Sequence, residues 1–275
     1  MRLHIEHQTH YRYDTPPKHM TQLLRLSPKL DAHQRVIEWR IQTPGKQTPF
    51  VDAFGNLCHT HVLQSPPSEL FLKVTGIVDI APLQNGALGS ANSQQDIPTL
   101  AYLVPTELTA SFPAIHQLAL QTLPNGMQTG EDALKLASVI CQKILYTAGN
   151  TDVTSTAKEA FELASGVCQD HAHVMIAACR SLGISSRYVS GYVDPGHDDA
   201  SASHAAASHA WVDVWLATQN QWISVDVTNN IYASDSHCRL AIGRDYLDAC
   251  PVRGMRVGGQ SEQLDVSVTV QMVQQ

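Results

Sequence analysis

Charge is scarce in this chain: Asp, Glu, Lys and Arg make up 16% of its 275 residues, against about 25% in ordinary globular domains. With 43% hydrophobic residues the chain can bury a real interior, which excludes an extended disordered protein. Positive charge is scarcer still. Eighteen Lys and Arg stand against 25 Asp and Glu, a net charge of −7, and that balance excludes a surface built to grip nucleic-acid phosphates. No apolar run approaches the roughly 20 residues that span a bilayer. The opening Met1-Arg2-Leu3-His4-Ile5-Glu6-His7 alternates and is polar, unlike a secretory leader. Neither nucleic acid nor membrane is expected as a partner. The six cysteines (Cys58, Cys141, Cys168, Cys179, Cys238, Cys250) are scattered, with no C-x-x-C pair. This excludes a disulfide framework and a four-cysteine zinc site, and reads as reduced thiols in the cytoplasm.

Histidine, by contrast, is plentiful, with 14 copies. The length also exceeds what one core holds comfortably, so two units are expected. Residues 1–81 read as an all-β domain. Alternation runs through Leu3-His4-Ile5-Glu6-His7-Gln8 and Val36-Ile37-Glu38-Trp39-Arg40-Ile41, with turn signals at Thr15-Pro16-Pro17, Thr43-Pro44-Gly45 and Asp52-Ala53-Phe54-Gly55-Asn56. Residues 82–97 are small, polar and aperiodic, and read as a linker. Residues 98–275 form the second unit. Helical spacing marks Ala114–Leu120, Glu131–Leu145, Thr156–Leu163 and Cys168–Leu182; strands follow at Arg187–Val193, His209–Leu216 and Trp222–Val227, with a closing strand at Leu264–Val270. Helices first and strands later make an α+β core.

Cys168 follows Ser165-Gly166-Val167 and opens a helix. Free amides and the helix dipole favour an anion there, which suits a nucleophilic thiolate. In the strand from His209, the side chains of His209, Trp211, Asp213 and Trp215 share one face. In the next strand Trp222, Ser224 and Asp226 do so. An antiparallel hairpin turning near residue 217.5 would set His209 across from Asp226, within a residue or two of register. Asp226 could then hold the His209 ring while the ring faces Cys168, the arrangement that thiol nucleophiles need.

These residues carry a resemblance. Gly166-Val167-Cys168-Gln169-Asp170-His171-Ala172-His173, Arg180-Ser181-Leu182-Gly183-Ile184, Arg187-Tyr188-Val189-Ser190-Gly191-Tyr192, His209-Ala210-Trp211-Val212 and Asp226-Val227-Thr228-Asn229 resemble the bacterial transglutaminase-like proteins. Tyr11-x-Tyr13, Gln22-Leu23-Leu24-Arg25-Leu26-Ser27-Pro28 and Asp52–Asn56 resemble that family's β-rich N-terminal region, and Gly243–Asp248 with Pro251–Gly254 match near the other end. The resemblance implies a transglutaminase- or papain-like core with a nucleophile helix packed on an antiparallel sheet. It implies Cys168 as nucleophile, His209 as base and Asp226 as third member, with no cofactor and no metal. A thioester acyl-enzyme would pass to water, giving amide or peptide hydrolysis, or to an amine, giving transamidation; hydrolysis is favoured because nothing marks an amine pocket. The substrate would be a peptide or protein carboxamide. Association with ATP-grasp peptide-ligase pathways is a further implication of the resemblance.

Two positions depart from the family pattern: His171 stands where an aromatic residue is usual, and Val227 where a proline is. Neither removes a catalytic atom. The Cys168 backbone amide is the expected oxyanion donor, with Gln169 and Tyr146 as candidates for the second, and Trp211 as a shield over the thiol–imidazole pair. Asp170 is expected to cap its helix; Arg187 and Arg244 could meet a substrate carboxylate or lie at the surface. Two rival readings remain open. Cys168, His171, His173, His197, His204 and His209 could gather zinc, although His171 and His173 leave a helix on different faces. The chain could also be an inactive binding scaffold.

Overall fold

The structure is a computed structural model, and it describes residues 1–88, 97–194, 196 and 208–273. The middle of the expected linker (89–96) and the histidine-rich stretch from His197 to His204 lie outside the described residues. The chain is mixed α+β, as the sequence reading expects. Its N-terminal strands are β1 (Arg2–Tyr13), β2 (His19–Leu24), β3 (Gln34–Gln42), β4 (Lys46–Val51), β5 (Leu57–Gln64) and β6 (Glu69–Ile80). Then come α1 (Pro113–Thr122), α2 (Gly130–Lys143), β7 (Leu145–Tyr146), α3 (Ala157–Leu163), β8 (Ser165–Gly166), α4 (Cys168–Ser181), β9 (Ser186–Val193), β10 (Ser208–Leu216), β11 (Gln221–Asp226), β12 (Ile231–Tyr232) and β13 (His237–Gly243). A short α5 (Tyr246–Ala249) leads to β14 (Val252–Val257) and β15 (Glu262–Met272).

The core sheet has the order β12-β11-β10-β9-β13, and its ladders are antiparallel. Ala210, Val212, Val214 and Leu216 project from one face of β10 into the main apolar cluster, where they meet Ala172, Met175, Ile176 and Cys179 of α4. Helix α4 is buried along almost its whole length, not on one face as its apolar spacing suggests. Its polar side chains survive inside because each finds partners. Arg180 donates to the carbonyls of Tyr102, Ser186 and Arg244 and to Thr109 Oγ1. Asp170 accepts from the Val167 amide at 2.7 Å and from Thr151 Oγ1 at 2.7 Å, capping the first turn.

Two four-stranded sheets, β15-β1-β6-β3 and β14-β2-β5-β4, make up the β-rich part. The alternation of β1 is real: Leu3, Ile5, His7, Thr9, Tyr11 and Tyr13 all point inward. At one end of this strand Leu3 and Ile5 join Tyr192, Cys238 and Leu240 of the core; at the other, Tyr11 and Tyr13 join Met20 and Leu63 of the second β sheet.

The closing segments go elsewhere than the sequence division at residue 98 suggests. β15 pairs with β1 over its full length, Leu3 facing Met272 and Tyr13 facing Glu262. β14 pairs with β2. Strand periodicity reveals that a segment is extended but not which edge it joins, and the two open edges of the N-terminal sheets lie close by. Residues at the start of the expected linker also dock on the core, where the Leu88 amide donates to Trp222 O at 3.0 Å. Among the described residues no helix is long and apolar enough to cross a membrane.

Candidate active site

The site forms where the N-terminus of α4 meets the starts of β10 and β13. Val167 is extended and Cys168 is the first helical residue, so its thiol sits among amides that have no partner within the helix. Gly166 is needed two residues before it: a Cβ there would lie 2.6 Å from the Asp170 carboxylate. The parallel pairing of Tyr146 with Gly166 fixes the loop that leads away from β7.

His209 lies near the start of β10 with only 7% of its side chain exposed, and its Nε2 is 2.8 Å from Asp226 Oδ2. The Cys168 side chain lies close enough to the same ring to act on its charge. Because Nε2 is turned to the carboxylate, Nδ1 is the nitrogen left for the thiol. The hairpin register differs slightly from the expected one. Val212 faces Val225, whereas direct pairing of 209 with 226 would put residue 212 opposite residue 223. Both side chains nevertheless leave on the same face, and the two-residue offset is spanned by the imidazole.

The electrostatics follow from burial opposed by hydrogen bonds. Burial works against charge on Asp226, yet the bonds from His209 and His237 hold its carboxyl well below the usual carboxylate range. Asn229 adds two more donors, its backbone amide at 3.2 Å to Oδ1 and its Nδ2 at 2.6 Å to Oδ2. Burial would also lower His209, but the bond to Asp226 and the nearby Cys168 outweigh it and hold the ring well above its ordinary value.

The other candidates fall into place unevenly. Trp211 is fully buried, its ring 6.2 Å from that of His209 at 30°. Tyr146 is half exposed; burial and the neighbouring Cys168 both raise its phenol, so it stands within electrostatic reach of the thiol. Gln169 is buried, with Nε2 directed at Asp152 O at 3.5 Å. Asp213, which shares the face of His209, is held instead by Arg239 at 2.6 Å and Arg187 at 2.7 Å. Arg187 is tied to Asp213 and stacked over Trp222 at 4.2 Å rather than standing free at the surface. Arg244 is paired with Asp248 at 2.7 Å. His171 bonds Thr228 Oγ1 and Ile144 O, while His173 accepts from the Tyr246 amide on another side of α4.

Sequence reasoning missed His237 and gave Asn229 no role. His237 lies on β13, whose residues are all buried, so the strand shows no alternation and reads as no particular element. Asn229 had a signal: it lies in the turn just after an aspartate at a strand end, where a carboxylate commonly accepts from nearby turn amides.

A thiol at a helix N-terminus, set against a histidine–carboxylate pair on an antiparallel sheet, is the arrangement of the transglutaminase- and papain-like enzymes. The chain belongs to the transglutaminase-like superfamily: the description "Transglutaminase-like superfamily" matches residues 116–227 and "Bacterial transglutaminase-like N-terminal region" matches residues 3–79. It is 28% identical over 279 residues to an uncharacterized protein of Mycobacterium leprae, covering 98% of both chains. An uncharacterized protein of Mycobacterium tuberculosis is 28% identical over 289 residues, covering 98% of this chain and 92% of its own. Among solved structures, one from Cytophaga hutchinsonii named "Putative Cysteine Protease" superposes with a TM-score of 0.78 at 20% identity, covering 100% of this chain and 92% of that one. That likeness establishes the fold.

Proposed function

We propose that this chain is a cysteine-dependent amide or peptide hydrolase that works through a thioester acyl-enzyme. The observation that carries the reading is the hydrogen bond between His209 and a buried, ionised Asp226, with the Cys168 side chain in electrostatic reach of the same ring. The Cys168 thiolate attacks the carbonyl carbon of a carboxamide, and the C–N bond breaks as the His209 imidazolium gives its proton to the leaving amine. Having given up that proton, His209 is neutral and able to take one from water. Water then attacks the thioester, releasing a carboxylic acid and restoring the thiol. An amine in place of water would give transamidation by the same steps.

The Cys168 amide, first in α4, supplies one oxyanion donor. Tyr146 is better placed than Gln169 for the second, since the Gln169 amide is directed at Asp152 O. Trp211 limits water at the ion pair. The substrate is a peptide or protein carboxamide. Six free cysteines fit a reducing compartment such as the cytoplasm.

Intact-protein mass spectrometry after exposure to a library of glutamine and peptide amides tests the reading. An acyl adduct mapped to Cys168, absent from Cys168→Ala, supports it and identifies the acyl group. A library that leaves the mass unchanged while the substrate is consumed would remove the covalent mechanism.

A further inference from the structure

Asp226 serves two imidazoles. His237, 2% exposed at the start of β13, brings its Nε2 to 3.2 Å from Asp226 Oδ2, the oxygen that also meets His209. The far side of the His237 ring fixes which nitrogen carries the proton. The Ser234 amide donates to Nδ1 at 3.2 Å, and Ser236 Oγ lies 3.0 Å from it. A nitrogen that accepts from a backbone N–H has no proton of its own, so the ring proton sits on Nε2 and is donated to the carboxylate. Trp211 packs against both rings, 6.2 Å from His209 and edge-on to His237 at 5.3 Å. Filling this space would need only an apolar side chain. A buried histidine with a set tautomer costs desolvation, and its one outlet is Asp226.

We propose that His237 is a positioning residue that aims the Asp226 carboxylate at His209. A carboxylate rotates easily about its last torsion. Donors from β13 on one side and Asn229 on the other hold its plane, so that Oδ2 stays in line with the His209 ring. The inference rests on the reading of Cys168, His209 and Asp226 as the reacting groups.

The rate at which iodoacetamide alkylates Cys168 at neutral pH reports the thiolate–imidazolium pair without needing a substrate. His237→Asn places an amide near Nδ1, where it keeps the Ser234 turn but falls short of Asp226. His237→Gln places a donor near Nε2, where it reaches Asp226 but loses the turn. By comparison with other outer hydrogen-bond partners, His237→Asn should slow alkylation about tenfold and His237→Gln should stay within about threefold of the unaltered protein. A merely structural histidine would give the reverse order, following the loss of thermal midpoint, and that result overturns the proposal. His209→Ala separates the two layers. If it slows alkylation and His237→Asn does not, the role of His237 falls alone; if neither slows it, the catalytic reading falls and takes this one with it. Should both His237 variants fail to fold, nitrogen-15 histidine NMR of the unaltered chain decides: His237 carrying its proton on Nδ1 overturns the proposal, and on Nε2 supports it.

Discussion

Asp226 is fully buried and still ionised, because donors from His209, His237 and Asn229 replace the water that it has lost. A carboxylate so held can keep the His209 ring oriented and offset its positive charge, and that division of labour ranks the variants. Cys168→Ala should abolish acyl-enzyme formation, and His209→Ala should come close. Asp226→Asn keeps shape and a hydrogen bond but loses charge, so its turnover should fall on the order of 10- to 10⁴-fold, the upper figure being the serine-triad value. A steady-state assay on one amide substrate checks the order, and an unimpaired Asp226→Asn would remove Asp226 from the triad. The thiols give a second test. Burial pushes Cys58, Cys179 and Cys238 up to about 12 and Cys141 to about 11, so all four stay protonated at neutral pH. Iodoacetamide at pH 7 should therefore label Cys168 first, and peptide mapping that finds equal labelling would contradict the ion pair. The positions of Cys168, His209 and Asp226 were legible because helix-start and strand-alternation rules place each one separately. His237 was not, because its contact with Asp226 depends on β13 pairing with β9 across a long connection, and no local pattern records that.

Among the elements, β9 and β10 set the tolerance of the site. Gly191 on β9 faces His209 on β10 in the ladder, and a Cβ at Gly191 would lie 2.2 Å from Cys238 O and 2.4 Å from the Trp211 ring. Neither can yield without moving backbone or the indole that packs on His209. Gly191→Ala should cost about 1–3 kcal/mol by overpacking, read from urea unfolding, and should lower turnover by displacing Trp211. Full activity in that variant would show that Trp211 has no part in the chemistry. Helices α1 to α4 were readable to within two residues of their ends, whereas the short α5 was not; α2, α3 and α4 each begin at a signal that the sequence carries: Thr129 and Thr156 as caps, and Gly166 ahead of Cys168. Edge choice was not readable. β15 looks like a core strand until its partner is known, and β14 shows no strand pattern that the sequence reading picked out.

Across the whole molecule, the β-rich part is fastened to the core by polar side chains as well as by apolar packing. Asn56 imitates a strand, donating to Ile242 O at 2.8 Å and accepting from Ile242 N at 2.9 Å. Arg239 joins Asp213 of the core to Asp31 of the N-terminal part. Asp213→Asn should weaken the fold rather than the chemistry, by about 3–5 kcal/mol, because it leaves buried guanidinium charge uncompensated; unchanged unfolding with lost turnover would instead make Asp213 the catalytic carboxylate. Acid should loosen the same assembly. Burial pushes His7 and His33 down to about 4 and His173 to about 3, whereas unfolded histidine titrates near 6.5. The unfolded chain thus takes up more protons below that pH. The stability of these neutral rings is complete above about 6.5 and drains away as pH falls towards 4, and thermal midpoints between pH 7.5 and 4.5 should show the decline. A flat profile would mean that the rings are charged in the folded protein. The pairing of β15 with β1 and of β14 with β2 also has a bearing on birth at the ribosome. The first strands made wait for the last described strands before their outer edges are covered, so throughout synthesis β1 and β2 present bare hydrogen-bonding rims. A nascent chain stalled before residue 252 should lean on holding chaperones, and release should follow only when the final pair of strands has slid home.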